Sequence, residues 1–486
     1  MSKAAPGAVL DRFDEAVVRQ PGLRVRIACP SQEFVREEMA LGVGRWRSCV
    51  RGLWESLALP GDRRLALVML QAQPVPTGVL RYLFGLRGDG PAVVADCLVR
   101  HAFVSIDDDR EQHLSEKLLD RPELVERLRT TVRRARERGH VVEGLAGYAA
   151  SPRMDRLAAS LGVDLVETPT ATLVWGTKTG SREIFRRAGV DHPPGAALPP
   201  GSAGALSAVE AGLRRQHSAG SRWLVKLDSG YGSGHGNALL TAGGEVRPFS
   251  TTVTPSEFVR RLDAVGGVVE QLLDCSQAGP PRSPSALAFI DREGRANLLG
   301  THEQLIGPEQ DFVGCRFPAD PAYRERLITA THAVLAELIR QGVRGHVGVD
   351  FLARPPNRDP SWRLDALEVN LRQTGSVHPN RTAHALVGGR WTPDGRLVRP
   401  DGREVVYTAT DGLINSSYRG ITPERLLTKL DVLSYDRRTG RGVVPHLWST
   451  LEIFGKVGAT FIGSSTDECD ELSRRFVGLL EELRVL

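Results

Sequence analysis

Of the 63 basic residues only six are lysines (Lys3, Lys117, Lys178, Lys226, Lys429 and Lys456), and the other 57 are arginines. Where lysine is this scarce, each one is a position to be explained. Cysteine is sparse too: Cys29, Cys49, Cys97, Cys275, Cys315 and Cys469 are scattered with no C-x-x-C pair. They read as reduced thiols rather than disulfides or zinc ligands. No apolar run approaches the length that crosses a bilayer, and Met1 to Arg12 has no apolar signal core. The expectation is a cytoplasmic protein with no membrane partner. Internal repeats and long low-complexity tracts are missing as well. A formal charge of +5 and a pI near 9.0 raise the question of a nucleic-acid partner, but 63 basic and 58 acidic residues are interspersed. The densest basic run, Arg127 to Arg138, reads as an exposed helix face, so no nucleic-acid partner is expected.

What is present is an ordinary globular composition, 41% hydrophobic and 25% charged, over 486 residues, enough for two to four domains. Residues 22 to 30 alternate like a strand, and Leu65 to Leu70, Ala92 to Val99 and His140 to Val142 are further strand candidates. Helical stretches fall at Glu33 to Leu57, Ser115 to Arg136 and Arg153 to Leu161, so the first third reads as an α/β layer structure. Asp107 to Asp109 is an acidic cluster that reads as a solvated helix start rather than a metal site. Asp191 to Gly204 reads as a linker.

The most informative stretch is Leu364 to Pro379, taken with the run Gly345 to Phe351. Glu368, Asn370 and Arg372 sit at i, i+2 and i+4, so on a strand they share one face, and a paired strand brings Asp350 there too. Between the two runs, Arg354 to Ser361 holds three prolines, an Asn and an Asp, the composition of a hairpin loop. A lone acid on a half-exposed strand is ordinarily just solvated. Two carboxylates and an amide oxygen beside a guanidinium, alternating with apolar Leu367, Val369 and Leu371, instead form a hard-oxygen set suited to Mg²⁺.

Further upstream, Lys178 opens a short helix that Ser181 can cap and Gly189 can end. Lys226 lies on the strand Trp223 to Leu227, which runs into a loop with Gly230, Gly232, Gly234 and Gly236. Glycines let backbone N–H groups approach phosphate oxygens, and lysine adds a point charge. No Lys-Ser/Thr follows the glycines, so this is not a Walker A loop. Next come Gly267 to Asp274, an apolar strand carrying Glu270, and a hairpin, Ser285 to Gly300. A loop containing Gly314-Cys315 and a long helix, Tyr323 to Gln341, follow.

In that order, two lysines, glycine loop, strand acid, Asp350 and Glu368-x-Asn370-x-Arg372 with His378-Pro379, the chain resembles the ATP-grasp superfamily. Lys178-Thr-Gly-Ser-Arg182-Glu-Ile-Phe, Glu368 to Pro379 and Gly455-Lys-Val-Gly-Ala-Thr-Phe-Ile-Gly463 are similar to the pheganomycin peptide ligase group. The gap from Arg372 to His378 is one residue longer than in biotin carboxylase, and Asp350 stands for a Glu. The resemblance implies an ATP-grasp fold with four parts. These are an N-terminal α/β domain (1–175), an ATP-grasp N-subdomain with the glycine loop (176–267), a C-subdomain with the metal site (268–386) and a C-terminal extension (387–486).

It also implies a function: an ATP-dependent amide ligase that activates a carboxylate as an acylphosphate and couples it to the amine of a peptide or amino acid, in peptide natural-product assembly. Lys178 and Lys226 would hold phosphates, Gly230, Gly232 and Gly234 would cover them, and Glu270, Gln271 and Leu273 would form the adenine hinge with Asp274 on the ribose. Asp350, Glu368 and Asn370 would bind two Mg²⁺ ions, Mn²⁺ being an alternative. Arg372, Lys226 and Glu368 would be the catalytic residues. A homodimer is left open. The alternatives are an ATP-grasp ligase with another small acceptor, such as an amino acid or thiol, and a catalytically silent ATP-binding regulatory protein.

Overall fold

The computed structural model describes residues 5–33, 52–217, 221–228, 235–273, 280–307, 312–356 and 361–484. The chain forms two compact units, one made of residues 1–170 with 375–486 and the other of residues 171–374.

The first unit begins with a four-stranded parallel sheet. Its strands β1 (Arg24–Cys29), β2 (Leu65–Gln71), β3 (His101–Ser105) and β4 (Val141–Gly147) lie in the order β3-β2-β1-β4. Every residue of β2 is buried, as expected of a parallel strand covered on both faces. The covering helices include Pro6–Val18, Pro122–Glu137 and Pro152–Leu161, whose Leu10, Phe13, Leu128, Val132, Met154 and Leu157 join the core. The stretch Ala92 to Val99, expected as a strand, is a helix, Pro91–Val99, and β3 follows it. Proline at the helix's first position favours that outcome, and a short apolar run does not by itself separate helix from strand. Asp108 of the acidic cluster is engaged by Arg110 and Arg121 at 2.7 and 2.8 Å, with Lys117 at 3.9 Å, a structural ion cluster.

The second unit holds two antiparallel sheets. The strands β5 (Gly195–Leu198), β6 (Arg222–Leu227), β7 (Asn237–Leu240), β8 (Val246–Pro248) and β9 (Gly267–Leu272) order as β5-β9-β6-β7-β8. Strand β5 lies inside the stretch expected to be a linker: Ala196 and Ala197 pair with β9, which the surrounding prolines and glycines had masked. Trp223, Val225, Leu227 and Val269 face a core closed by the helix Pro255–Val265, so Lys226 and Glu270 fall on the opposite face. The other sheet contains β10 (Pro284–Ile290), β11 (Ala296–Ile306), β12 (Phe312–Phe317), β13 (Gly345–Arg354) and β14 (Arg363–Asn370), ordered β14-β13-β10-β11-β12. Gly314 and Cys315, expected in a loop, belong to β12, where Cys315 pairs with Gln304. One face of this sheet buries Val347, Val349, Phe351 and Val369 against the helices Lys178–Ala188 and Pro321–Arg340.

The chain then returns to the first unit. The helix Val377–Val387 leads to β15 (Arg390–Trp391), β16 (Leu397–Val398), β17 (Glu404–Ile414), β18 (Gly442–His446) and β19 (Lys456–Gly463), all antiparallel, with β19 between β17 and β18. The helix Thr466–Leu483 packs on this sheet. Cys29, Cys97, Cys315 and Cys469 are buried free thiols. Among the described residues, no helix is long and apolar enough to cross a membrane.

Candidate active site

Strands β13 and β14 form the hairpin that the polar spacing predicts. Asp350 stands directly across from Glu368 and Gly348 from Asn370, after which the register slips by one residue at Leu367. Directly opposed residues point to the same side, so both carboxylates and the amide share one face. Gly348 is needed there: a Cβ would come within 2.7 Å of Thr374 Cγ2 and 3.5 Å of Asn370 Cβ.

A directed chain of hydrogen bonds fixes the face. Arg372 Nη2 donates to Asn370 Oδ1 at 2.8 Å, and Asn370 Nδ2 donates to Asp350 Oδ2 at 2.9 Å. Gln304 Nε2, from β11, donates to the other Asp350 oxygen at 2.9 Å while its own carbonyl accepts from Ser283 at 2.9 Å. Because β14 ends at Asn370, Arg372 reaches this chain from the segment beyond the strand rather than as its next inward residue. Burial, and then the charge of Glu368, push the Asp350 carboxyl up to about 7.

Lysine 178 forms an ion pair with Glu368. It is the first residue of its helix, whose cap is Thr177 rather than the predicted Ser181: Thr177 Oγ1 accepts from the Gly180 N–H at 2.9 Å. Ser181 is instead buried in the helix and accepts from the Val369 N–H at 3.0 Å, which joins the helix to β14. Gly189 ends the helix in the left-handed conformation, as predicted.

One helical turn after Lys178, Arg182 serves the other sheet. Glu270 is 2% exposed, and its carboxylate sits between Lys226 Nζ at 2.6 Å and Arg182 Nη1 at 3.0 Å. Burial alone would raise its pKa, but the two cations more than offset it, and the carboxyl is held below its ordinary range. The Thr179 N–H also donates to Asp228 at 2.8 Å, at the end of β6. Lys178 and Arg182 thus connect one helix to an acid on each sheet. Gln271 is a sheet residue whose N–H donates to Pro194 O at 2.8 Å and whose amide donates to Ser221 at 3.0 Å. Leu273, half-buried, follows β9 directly. Gly230, Gly232, Gly234 and Asp274 lie outside the described residues.

Arg182 escaped the reading of the sequence as a site residue, and Gln304 lay in the stretch Thr301 to Ile306, where substrate contacts are expected without a residue being assigned. The i+4 spacing from Lys178 was a signal for Arg182, but Gln304 becomes visible only once β11, β10 and β13 are known to be neighbours.

The curated L-propargylglycine–L-glutamate ligase of Streptantibioticus cattleyicolor is 32% identical over 441 residues, covering 87% of this chain and 88% of its own. The chain belongs to the ATP-grasp ligase family. Solved ATP-grasp structures share its fold over nearly its whole length. The biotin carboxylase of Campylobacter jejuni in its β,γ-ATP complex aligns with a TM-score of 0.53 at 12% identity, covering 94% of this chain and 90% of that one. The biotin carboxylase domain of Hydrogenobacter thermophilus 2-oxoglutarate carboxylase, with MgADP and bicarbonate, gives 0.51 at 15% identity, with coverages of 94% and 90%. A family model described as the PGM1 C-terminal domain matches residues 432–476, which contain β18 and β19. This ATP-grasp protein is therefore an enzyme, a ligase that joins a carboxylate to an amine.

In ATP-grasp terms the donor set can be judged on its chemistry. Asp350, Glu368 and Asn370 offer only hard oxygens, and Asp350 stands directly across from Glu368, a pair of like charges that a divalent cation would stabilise. Lys178, Lys226, Arg182 and Arg372 add four cationic side chains around three carboxylates, a balance that suits a polyanion.

Proposed function

We propose that this enzyme uses ATP to phosphorylate the carboxylate of an amino acid and couples the acyl group to the amine of a second amino acid or a peptide. The observation that carries the reading is the single helix whose Lys178 and Arg182 hold acids on two different sheets. Lys178 and Lys226 can each exchange a carboxylate partner for a phosphate oxygen, so an arriving triphosphate finds positioned cations. The relative from S. cattleyicolor, named for ligating L-propargylglycine to L-glutamate, supports an amino-acid donor and an amino-acid acceptor. Natural-product peptide assembly is the setting we infer.

In the first step a donor carboxylate oxygen attacks the γ-phosphorus, the bond to the β-phosphate oxygen breaks, and ADP leaves. In the second, the acceptor amine attacks the acyl carbon, phosphate departs with the bonding pair, and the proton from the nitrogen passes to the released phosphate. Lys178 and Lys226 hold the phosphates. Arg372, oriented by Asn370, faces the developing negative charge on the acyl oxygen. Glu270 positions Lys226 until a phosphate oxygen replaces it and keeps Arg182 in place, and Gln271 and Leu273 offer the hinge for adenine, with Asp274 assigned to the ribose. Gly230, Gly232 and Gly234 belong to the loop assigned to cover the triphosphate and keep water from the acylphosphate. Asp350, Glu368 and Asn370 would hold Mg²⁺, in two ions or with Mn²⁺ in its place, and the metal would neutralise phosphate charge.

Hydroxylamine trapping tests the reading. Protein, ATP and Mg²⁺ are incubated with a panel of amino acids, and hydroxamate and ADP are followed by mass spectrometry, with Glu368→Gln as control. A hydroxamate from one acid, lost in the variant, is the expected result. Mg-ATP binding with neither ADP nor hydroxamate from any acid would overturn it in favour of a silent nucleotide-binding protein.

A further inference from the structure

The second polar cluster lies in the other unit, at His378, Asp411 and His446, and it plays no part in the chemistry above. Three elements build it. His378 is in the first turn of the helix Val377–Val387, Asp411 is on β17 and His446 ends β18. Strand β19 lies between the two strands, and its Gly458 is the pivot. On one side Gly458 pairs with His446. On the other, Thr410 pairs with Ala459 and Leu413 with Val457, so Asp411 and Gly412 together oppose Gly458 alone. That is a β-bulge, a device that re-aims a side chain. The imidazole of His446 then lies over Gly458, where a Cβ would fall 2.0 Å from its Nε2.

The result is a tight set of donors. His446 Nε2 is 2.6 Å from Asp411 Oδ1, His378 Nε2 is 4.0 Å from the same oxygen, and the two ring centroids are 4.1 Å apart. One ligand atom from each residue lies within 4.8 Å of the others. His378 and Asp411 are 5% and 8% exposed. Both imidazoles, though not Asp411, also line a cavity of about 20 Å³ whose other walls are mostly apolar, Leu53, Leu83 and Trp448 among them, with Thr382 and Thr460 as the hydroxyls. That is room for one water or one ion.

We propose that His378, Asp411 and His446 form a binding site for one divalent transition-metal ion of the zinc class, separate in its residues and its chemistry from the Mg²⁺ set. Two imidazoles and one carboxylate suit zinc, cobalt or iron(II), whereas magnesium prefers oxygen. Bonds of roughly 2.0–2.2 Å place tetrahedral ligand atoms roughly 3.4 Å apart, between the two separations to Asp411 Oδ1 seen here. The cavity leaves the fourth position to a water or a small ligand. An ion held there ties the helix Val377–Val387 to β17 and β18. The inference stands on these contacts alone and is independent of the ligase reading.

Tag-free protein, stripped with chelator, is titrated with Co²⁺ under excess Mg²⁺, which keeps the hard-oxygen site from contributing. The expected result is about one equivalent of Co²⁺ per chain with the visible bands of a low-coordinate nitrogen and oxygen site, bleached by Zn²⁺. His446→Ala and Asp411→Asn should each lower the apparent affinity at least tenfold, by roughly the effect of losing one ligand or more. Glu368→Gln should keep the bands. Absence of saturable bands in the wild-type protein overturns the proposal whether or not the variants fold. Unchanged uptake in folded His446→Ala and His378→Gln would overturn it too.

Discussion

The two polar clusters of this chain are built on opposite principles. Around β13, β14 and the helix Lys178–Ala188, each acid meets a lysine, an arginine or an amide donor, and Lys178 and Glu368 remain 14% and 19% exposed. Around β17, β18 and β19, one carboxylate meets two imidazoles in a closed corner. A cluster of opposite charges can release its cations to an incoming anion and take them back when it leaves. Imidazoles around a carboxylate can offer lone pairs once an ion displaces the proton that His446 Nε2 shares with Asp411, which suits an ion that stays. On the readings proposed above, one protein would carry an exchange site and a retention site that differ in donor chemistry.

The variant with the largest expected effect acts on the exchange site. Glu368→Gln should lower turnover by roughly 10² to 10³. It exchanges a charge on a polar face without touching the core, so its melting curve should stay near that of the wild type. Turnover within a few-fold of normal would break the comparison at its first term. Glu270→Gln should instead act mainly on stability. It leaves the half-buried Lys226 and Arg182 without the buried carboxylate they share, at a cost of up to about 3 kcal/mol. Because the Glu270 pKa is held below its ordinary value, this stabilisation is present above about pH 4.3 and is lost as pH falls through the lower folded value. Urea midpoints of wild type and variant should therefore differ at neutral pH and converge in acid.

Gln304→Ala sharpens the contrast from within, because it removes a donor to Asp350 without removing charge. Partners of this kind are worth about tenfold or more in metal affinity, so the Mg²⁺ concentration for half-maximal turnover should rise while the Co²⁺ titration does not change. On the retention site, Gly458→Ala should force His446 aside and cost about 1–3 kcal/mol, read by urea unfolding. A fully stable variant with intact Co²⁺ bands would show that the ring has space the close approach denies it.

The same contrast explains what could be read from the sequence. Asp350, Glu368 and Asn370 sit on two consecutive strands, and period-two spacing in a hairpin places side chains without further knowledge. The lysine positions were legible because the residue is so rare. Arg182 and Glu270 are far apart in sequence, and no local pattern announces their contact. The histidine cluster is harder still, for it needs a helix start, a bulge and a strand end to meet over one glycine, and a bulge leaves no mark in period-two spacing. Among elements, strand and helix were exchanged at Ala92 to Val99, where the apolar run was too short to choose. A strand went unseen inside the Pro- and Gly-rich stretch after Gly189 for the opposite reason, since only its pairing with β9 orders it.

The smallest expected effect separates holding a site from acting in it. Ser181 is fully buried, and its hydroxyl accepts the Val369 N–H next to Glu368. Ser181→Ala leaves that buried N–H without its acceptor, at a cost of about 1–2 kcal/mol in unfolding free energy. The helix that carries Lys178 and Arg182 would then be less firmly fixed to β14, and the effect on turnover should fall on the apparent affinity for ATP more than on the maximal rate. Loss confined to the maximal rate, with stability unchanged, would instead give Ser181 a part in the chemistry and make this helix more than a support for its two cations.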